Sequence, residues 1–101
     1  MDVQLVFNNN SSASAGFELY QNVPNPFSEY TAIGFNLPEA TAAELTITDV
    51  SGKIVKNVAG HYAKGYNEIR LSRQELPATG ILYYRLDTPS GSATKMMLFM
   101  H

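Results

Sequence analysis

The chain has no cysteine. Disulfides and thiolate metal sites are therefore excluded. The compartment stays open, because a thiol-free chain suits export as well as the cytosol. Histidine is scarce: His61 and His101 are the only two. They do not form the cluster a zinc site requires, and no cofactor is expected. There is no apolar run of about 18 residues, the length a membrane-spanning helix needs. Positive charge is not in excess, with 7 Lys and Arg against 9 Asp and Glu and a net charge of −2. Nucleic acid and anionic membrane surfaces are therefore not expected as partners. Met1-Asp2-Val3 opens with neither the basic region nor the apolar stretch of a signal peptide. If the protein is exported, the chain is expected to be a piece of a longer one. No G-x-S-x-G elbow, G-x-G-x-x-G run or P-loop is present, so an enzyme is not expected.

The length of 101 residues suits one domain. A chain of this size buries roughly 65% of its unfolded surface, enough for a modest core. The first segment, Val3–Phe7, is a short apolar run with strand-like content. It is either the first strand of this domain or the last strand of an upstream one. Asn8 to Gly16 is small, polar and uncharged, and reads as a flexible linker.

Residues 19–28 follow, LYQNVPNPFS. Pro24 and Pro26 remove two backbone donors and fix two φ angles. Val23 and Asn25, each before a proline, are held extended. The segment is expected to be a stiff, unladdered strap that docks a flexible chain onto a sandwich edge. Tyr20 and Phe27 are its expected apolar anchors.

Beyond it the pattern has period two, the signature of half-buried strands. Ile33, Phe35 and Leu37 share one face, and Leu45, Ile47 and Asp49 share another. Asp49-Val50-Ser51-Gly52 is a turn, so residues 43–58 form a hairpin. Gly60 and Lys64-Gly65 are expected to bracket a loop carrying His61 and Tyr62. Residues 67–71 alternate again. Ser72 with Glu75 fits a capping box, and Pro77 limits that helix to about one turn. Leu82, Tyr84 and Leu86 share a face of the next strand, and Pro89-Ser90-Gly91-Ser92 turns the chain into the last one. Six or seven short strands with turn residues between them indicate an all-β, antiparallel β-sandwich.

Three features are candidates for function. Tyr20, Tyr30, Tyr62 and Tyr66 lie near strand ends, where a carbohydrate-binding platform would place them, although half-buried packing is the commoner role of such tyrosines. Asp49 reads as a turn residue bonding backbone rather than a calcium ligand. Lys95-Met96-Met97-Leu98-Phe99-Met100 is apolar on both faces. It reads as a central strand buried on both sides, or as a strand that pairs with a partner by β-addition. It would also offer an edge for a homodimer.

The order of motifs resembles one family. LYQNxPNPF is followed by Thr31, Ile33, Phe35 and Leu37-Pro38-Glu39, and then by Leu45-Thr46-Ile47-Thr48-Asp49-Val50-Ser51-Gly52-Lys53. Lys64-Gly65-Tyr66-Asn67, Leu76-Pro77-Ala78-Thr79-Gly80-Ile81, Tyr84-Arg85-Leu86 and Lys95-Met96-Met97 complete the series. The series resembles the C-terminal sorting domain of the type IX (Por) secretion system of Bacteroidetes, over residues 17–101. Leu82 and Thr48 replace aromatic residues common in the family, and the tail ends in His101 rather than a basic residue. The resemblance implies an immunoglobulin-like sandwich of about seven strands, joined to an upstream cargo. It implies export through the periplasm to the cell surface or medium. The partners implied are an outer-membrane translocon and a sortase. By the same resemblance Pro24, Asn25, Pro26, Gly80 and Lys95 are the expected recognition residues. Cleavage is expected in the linker, at Asn10, Ser11, Ser12, Ala13, Ser14, Ala15 or Gly16. The alternative function is a carbohydrate-binding or adhesive module of a secreted protein.

Overall fold

A computed structural model describes residues 15–77 and 79–100. The apolar run Val3–Phe7, linker residues 8–14 and His101 lie outside the described residues.

Each alternating stretch forms a strand. These are β1 (Glu18–Leu19), β2 (Tyr30–Leu37), β3 (Thr41–Thr48), β4 (Ile54–Tyr62), β5 (Gly65–Ser72), β6 (Gly80–Thr88) and β7 (Gly91–Phe99). One sheet has the order β1-β2-β5 and the other β4-β3-β6-β7, and all ladders are antiparallel. The chain passes from one sheet to the other after β2, β4 and β5, which makes a seven-stranded antiparallel sandwich.

The inward faces are those the alternation marks. Ile33, Phe35 and Leu37 of β2 meet Leu45 and Ile47 of β3 and Leu82, Tyr84 and Leu86 of β6, all buried. Phe35 receives the edge of the Tyr62 ring, with centroids 5.2 Å apart. Each such aliphatic or aromatic side chain contributes about 1.5–3 kcal/mol on burial. Ser72 and Glu75 meet as expected: the Glu75 carboxylate accepts from Ser72 N at 3.3 Å and from its hydroxyl at 3.1 Å. The helical piece is a single 3₁₀ turn, Arg73–Glu75. Lys56 lies 3.2 Å from Glu75 and holds its carboxyl below the usual carboxylate range. Asp49 is a turn residue, its Oδ1 accepting from Ser51 N, Ser51 Oγ and Lys53 N at 2.9, 2.6 and 3.1 Å.

Three expectations are corrected. His61 and Tyr62 are not in a loop, because β4 runs on through Gly60 to Tyr62. Its partners there are Thr41, Ala42 and Ala43, and a ladder bond needs no side chain on an edge strand. The last strand is not central: β7 is the edge of its sheet. It buries Met97 and Phe99 but exposes Met96, Leu98 and Met100. The strap is not wholly unladdered either. Val23 bridges Ala32 antiparallel and Phe27 bridges Phe99 in parallel, so the strap touches both sheets.

A strap, a sealed edge and an apolar face

The strap is held by a small buried polar network. Asn22 is almost fully buried. Its Nδ2 donates to the Pro24 carbonyl at 3.2 Å and to Thr31 Oγ1 at 3.0 Å. Its Oδ1 accepts from Gln21 Nε2 at 2.7 Å. Thr31 Oγ1, also buried, donates to the Pro24 carbonyl at 2.9 Å. From the opposite sheet, Tyr84 Oη accepts from Asn22 N at 3.0 Å and donates to the Tyr20 carbonyl at 2.8 Å. A buried tyrosine needs partners for its hydroxyl, and the strap supplies both. Burial pushes the Tyr84 phenol up to about 12, with the Asn22 N–H acting in the opposite direction.

Tyr20 therefore acts through its backbone. Its ring is on the surface, and the apolar anchors of the strap are Leu19 and Phe27. Phe27 stacks on Phe99, with centroids 4.9 Å apart and planes 11° from parallel.

The strap closes part of the outer edge of β7. Gln21 Nε2 donates to the Met96 carbonyl at 2.8 Å, and Asn25 Oδ1 accepts from Leu98 N at 2.9 Å. Phe27 N donates to the Leu98 carbonyl at 3.1 Å, and Met100 N donates to the Phe27 carbonyl at 2.8 Å. Exposed strand edges template association with other chains. Here the most apolar stretch of edge, from the Met96 carbonyl to Met100 N, is covered from within the chain.

The outer face of the same hairpin is different. Ile81 pairs with Leu98 and Tyr83 with Met96 across β6 and β7. All four are exposed, as is Met100, with Met96 at 52% and Met100 at 49%. Farther along the hairpin the face turns polar, with Arg85 bonded to Asp87 at 2.9 Å, and the neighbouring β3–β4 pair is polar too, with Asn57 bonded to Glu44 and Thr46. The apolar surface is confined to one end.

Three expected recognition residues, Asn25, Pro26 and Gly80, border that end, and Pro24 holds the strap beside it. Asn25 binds Leu98, and Pro26 leads into Phe27. The Pro24 carbonyl is the acceptor of the Asn22–Thr31 network. Gly80 pairs with Phe99 from the other side. Its φ of 116° is one that L side chains rarely adopt. Lys95 lies apart, opposite Tyr84 in mid-strand. Of the expected cleavage residues, Ala15 and Gly16 are described and exposed. The Gly16 carbonyl accepts from Asn36 Nδ2 at 2.7 Å, where the linker meets the sandwich. Asn22, Thr31 and Tyr84 were not among the candidates, although a tyrosine between inward-facing leucines is itself the signal of a buried hydroxyl contact.

A family model described as a secretion system C-terminal sorting domain matches residues 22–99. The chain belongs to this family. It is a sorting domain of the type IX secretion system, and the protein that carries it is exported by that system. No curated protein and no solved structure matches the chain. The matched span begins at Asn22, the centre of the buried network, and ends at Phe99, the last core residue of β7. The sorting domain's opening motif thus has a physical task, to fix the strap across the edge of β7.

Proposed function

We propose that the translocon reads this sorting domain at the apolar outer end of the β6–β7 hairpin, bordered by Asn25, Pro26 and Gly80. A sortase then cuts the linker between Asn10 and Gly16 and releases the cargo. The domain is a ligand of that machinery, not a catalyst.

One observation carries this reading. Ile81, Tyr83, Met96, Leu98 and Met100 are exposed side by side on a strand pair whose adjoining edge is sealed. Contiguous exposed apolar side chains rimmed by polar ones are often an interaction site. Methionines make such a surface adaptable. A second copy of the chain is a poorer occupant. The strap blocks edge-to-edge pairing over Met96–Met100.

The test replaces Ile81, Met96 and Leu98 together by threonine in a reporter fused to this domain. Threonine keeps β propensity on an exposed strand face, so the melting temperature should change little. Export of the reporter should fall at least about tenfold. Undiminished export by the folded triple variant would remove the patch from the recognition surface.

A further inference from the structure

The outer face of the β1-β2-β5 sheet has a different chemistry. Tyr66, Glu68 and Arg70 follow one another along β5, and Gly34, Ala32 and Tyr30 along β2. Tyr20 N donates to the Gly34 carbonyl at 2.9 Å, which puts Tyr20 beside Gly34 on the other side of β2. The Tyr20 and Tyr66 rings lie 6.0 Å apart. The Arg70 guanidinium sits 5.3 Å from the centre of the Tyr30 ring. Tyr66 Oη donates to the Glu68 carboxylate at 3.1 Å.

Gly34 is what lets this arrangement form. A Cβ there would lie 2.4 Å from Tyr66 Oη. With glycine, the Tyr66 ring lies across the strand instead of standing off it. Along β2 the Tyr66 ring covers Gly34, and the low position is Ala32, between Val23 of the strap and Arg70 of β5. From Gly34 to Tyr30 is about 13 Å at the usual strand rise, and three lanes span about 10 Å. The result is a shallow trough over Ala32, with Tyr20 and Tyr66 at one end and Tyr30 at the other, and with Glu68 and Arg70 along one side.

We infer that this trough binds a neutral glycan chain, independently of sorting. Tyrosine faces match the C–H faces of pyranose rings, while phenol, carboxylate and guanidinium groups match their hydroxyls. A few placed polar groups among aromatic rings is the usual make-up of a ligand site. Glu18 and Glu68 outnumber Arg70 on this face, so nothing here draws a polyanion. Covering Gly34 takes only one ring, yet three are present, and Tyr66 and Tyr30 stay 61% and 51% exposed. Val23, paired with Ala32, is the one large aliphatic side chain on this face among the described residues. The patch on the other sheet is built chiefly from leucine, isoleucine and methionine, which separates a sugar-facing surface from a protein-facing one.

The test titrates the full chain with cellohexaose, xylohexaose, laminarihexaose and mannohexaose, read by calorimetry and by amide chemical shifts. At least one should bind, with shifts at Tyr30, Ala32, Gly34, Tyr66, Glu68 and Arg70. Tyr66→Ala and Tyr30→Ala should each weaken it roughly tenfold or more. Met96→Thr should leave it unchanged. Both tyrosine variants should keep the melting temperature and export a fused reporter normally. No heat or shift with any of the four sugars up to about 10 mM, a range that covers even weak binding, would overturn the inference. So would binding that the tyrosine variants do not weaken. Loss of reporter export in a folded Tyr30→Ala, Tyr66→Ala double variant would overturn the inference and assign the face to a protein partner in sorting instead.

Discussion

At the scale of single residues, Asn22 concentrates the design. It lies in the interior with donor, acceptor and backbone N–H all bonded. Asn22→Ala strips partners from Thr31 Oγ1 and from the Pro24 carbonyl. Unmade bonds of buried groups cost about 1–3 kcal/mol, so chemical denaturation should show a loss in that range. Tyr84 adds a dependence on pH. Burial pushes its phenol up to about 12 in the folded chain, against about 10 for an exposed tyrosine. The folded state therefore holds its proton more tightly. Its contribution is complete below pH 10 and is lost as pH rises toward 12. Two pKa units correspond to roughly 3 kcal/mol. Denaturation midpoints taken between pH 9 and 12 should fall steeply, and the fall should be shallower in Tyr84→Phe. The inward position of Tyr84 is legible in the sequence, because it alternates with Leu82 and Leu86. Its bond to Asn22 is not, since the two lie 62 residues apart and no local period records such a contact.

At the scale of elements, period-two alternation located β2, β3, β5 and β6 and the correct inward faces. Alternation reports which side a residue takes, not how far a strand extends. Gly60 looks like a break, but Thr41–Ala43 continue the ladder past it, so His61 falls on β4. Likewise, apolar residues on both faces of β7 suggested a central strand. The outer face is apolar and exposed, and the covering lies on the edge, supplied by the strap. That edge cover is open to test. Phe27→Ala removes a buried ring stacked on Phe99 and should cost about 3–5 kcal/mol. Asn25→Ala removes the acceptor of Leu98 N. Hydrogen exchange at Leu98 should then accelerate while the β3–β6 amides remain protected. Equal protection of Leu98 in the variant would mean that the strap does not seal the edge.

At the scale of the whole molecule, the sandwich presents two dissimilar surfaces on its two sheets. One is aliphatic, at the end of the β6–β7 hairpin, and the other is aromatic and polar, across β2 and β5. The order of motifs was enough to indicate the family and the fold. It could not indicate that Asn25, Pro26 and Gly80 gather around Leu98–Phe99, because strap and hairpin are more than fifty residues apart in the chain. The rim tyrosines also divided in a way the sequence does not record. Tyr62 packs against Phe35, while Tyr20, Tyr30 and Tyr66 line the outer trough. If the two surfaces act separately, substitutions on one should not affect the readout of the other.

Sorting itself is the central claim, and one fusion tests it most directly. Residues 8–101 are joined to the C-terminus of a signal-peptide-bearing fluorescent reporter, in a Bacteroidetes host with and without a working type IX translocon. The expected result is reporter on the cell surface or in the medium only where the translocon works, with mass spectrometry placing the new terminus between Asn10 and Gly16. Reporter held in the periplasm of both strains would contradict the claim.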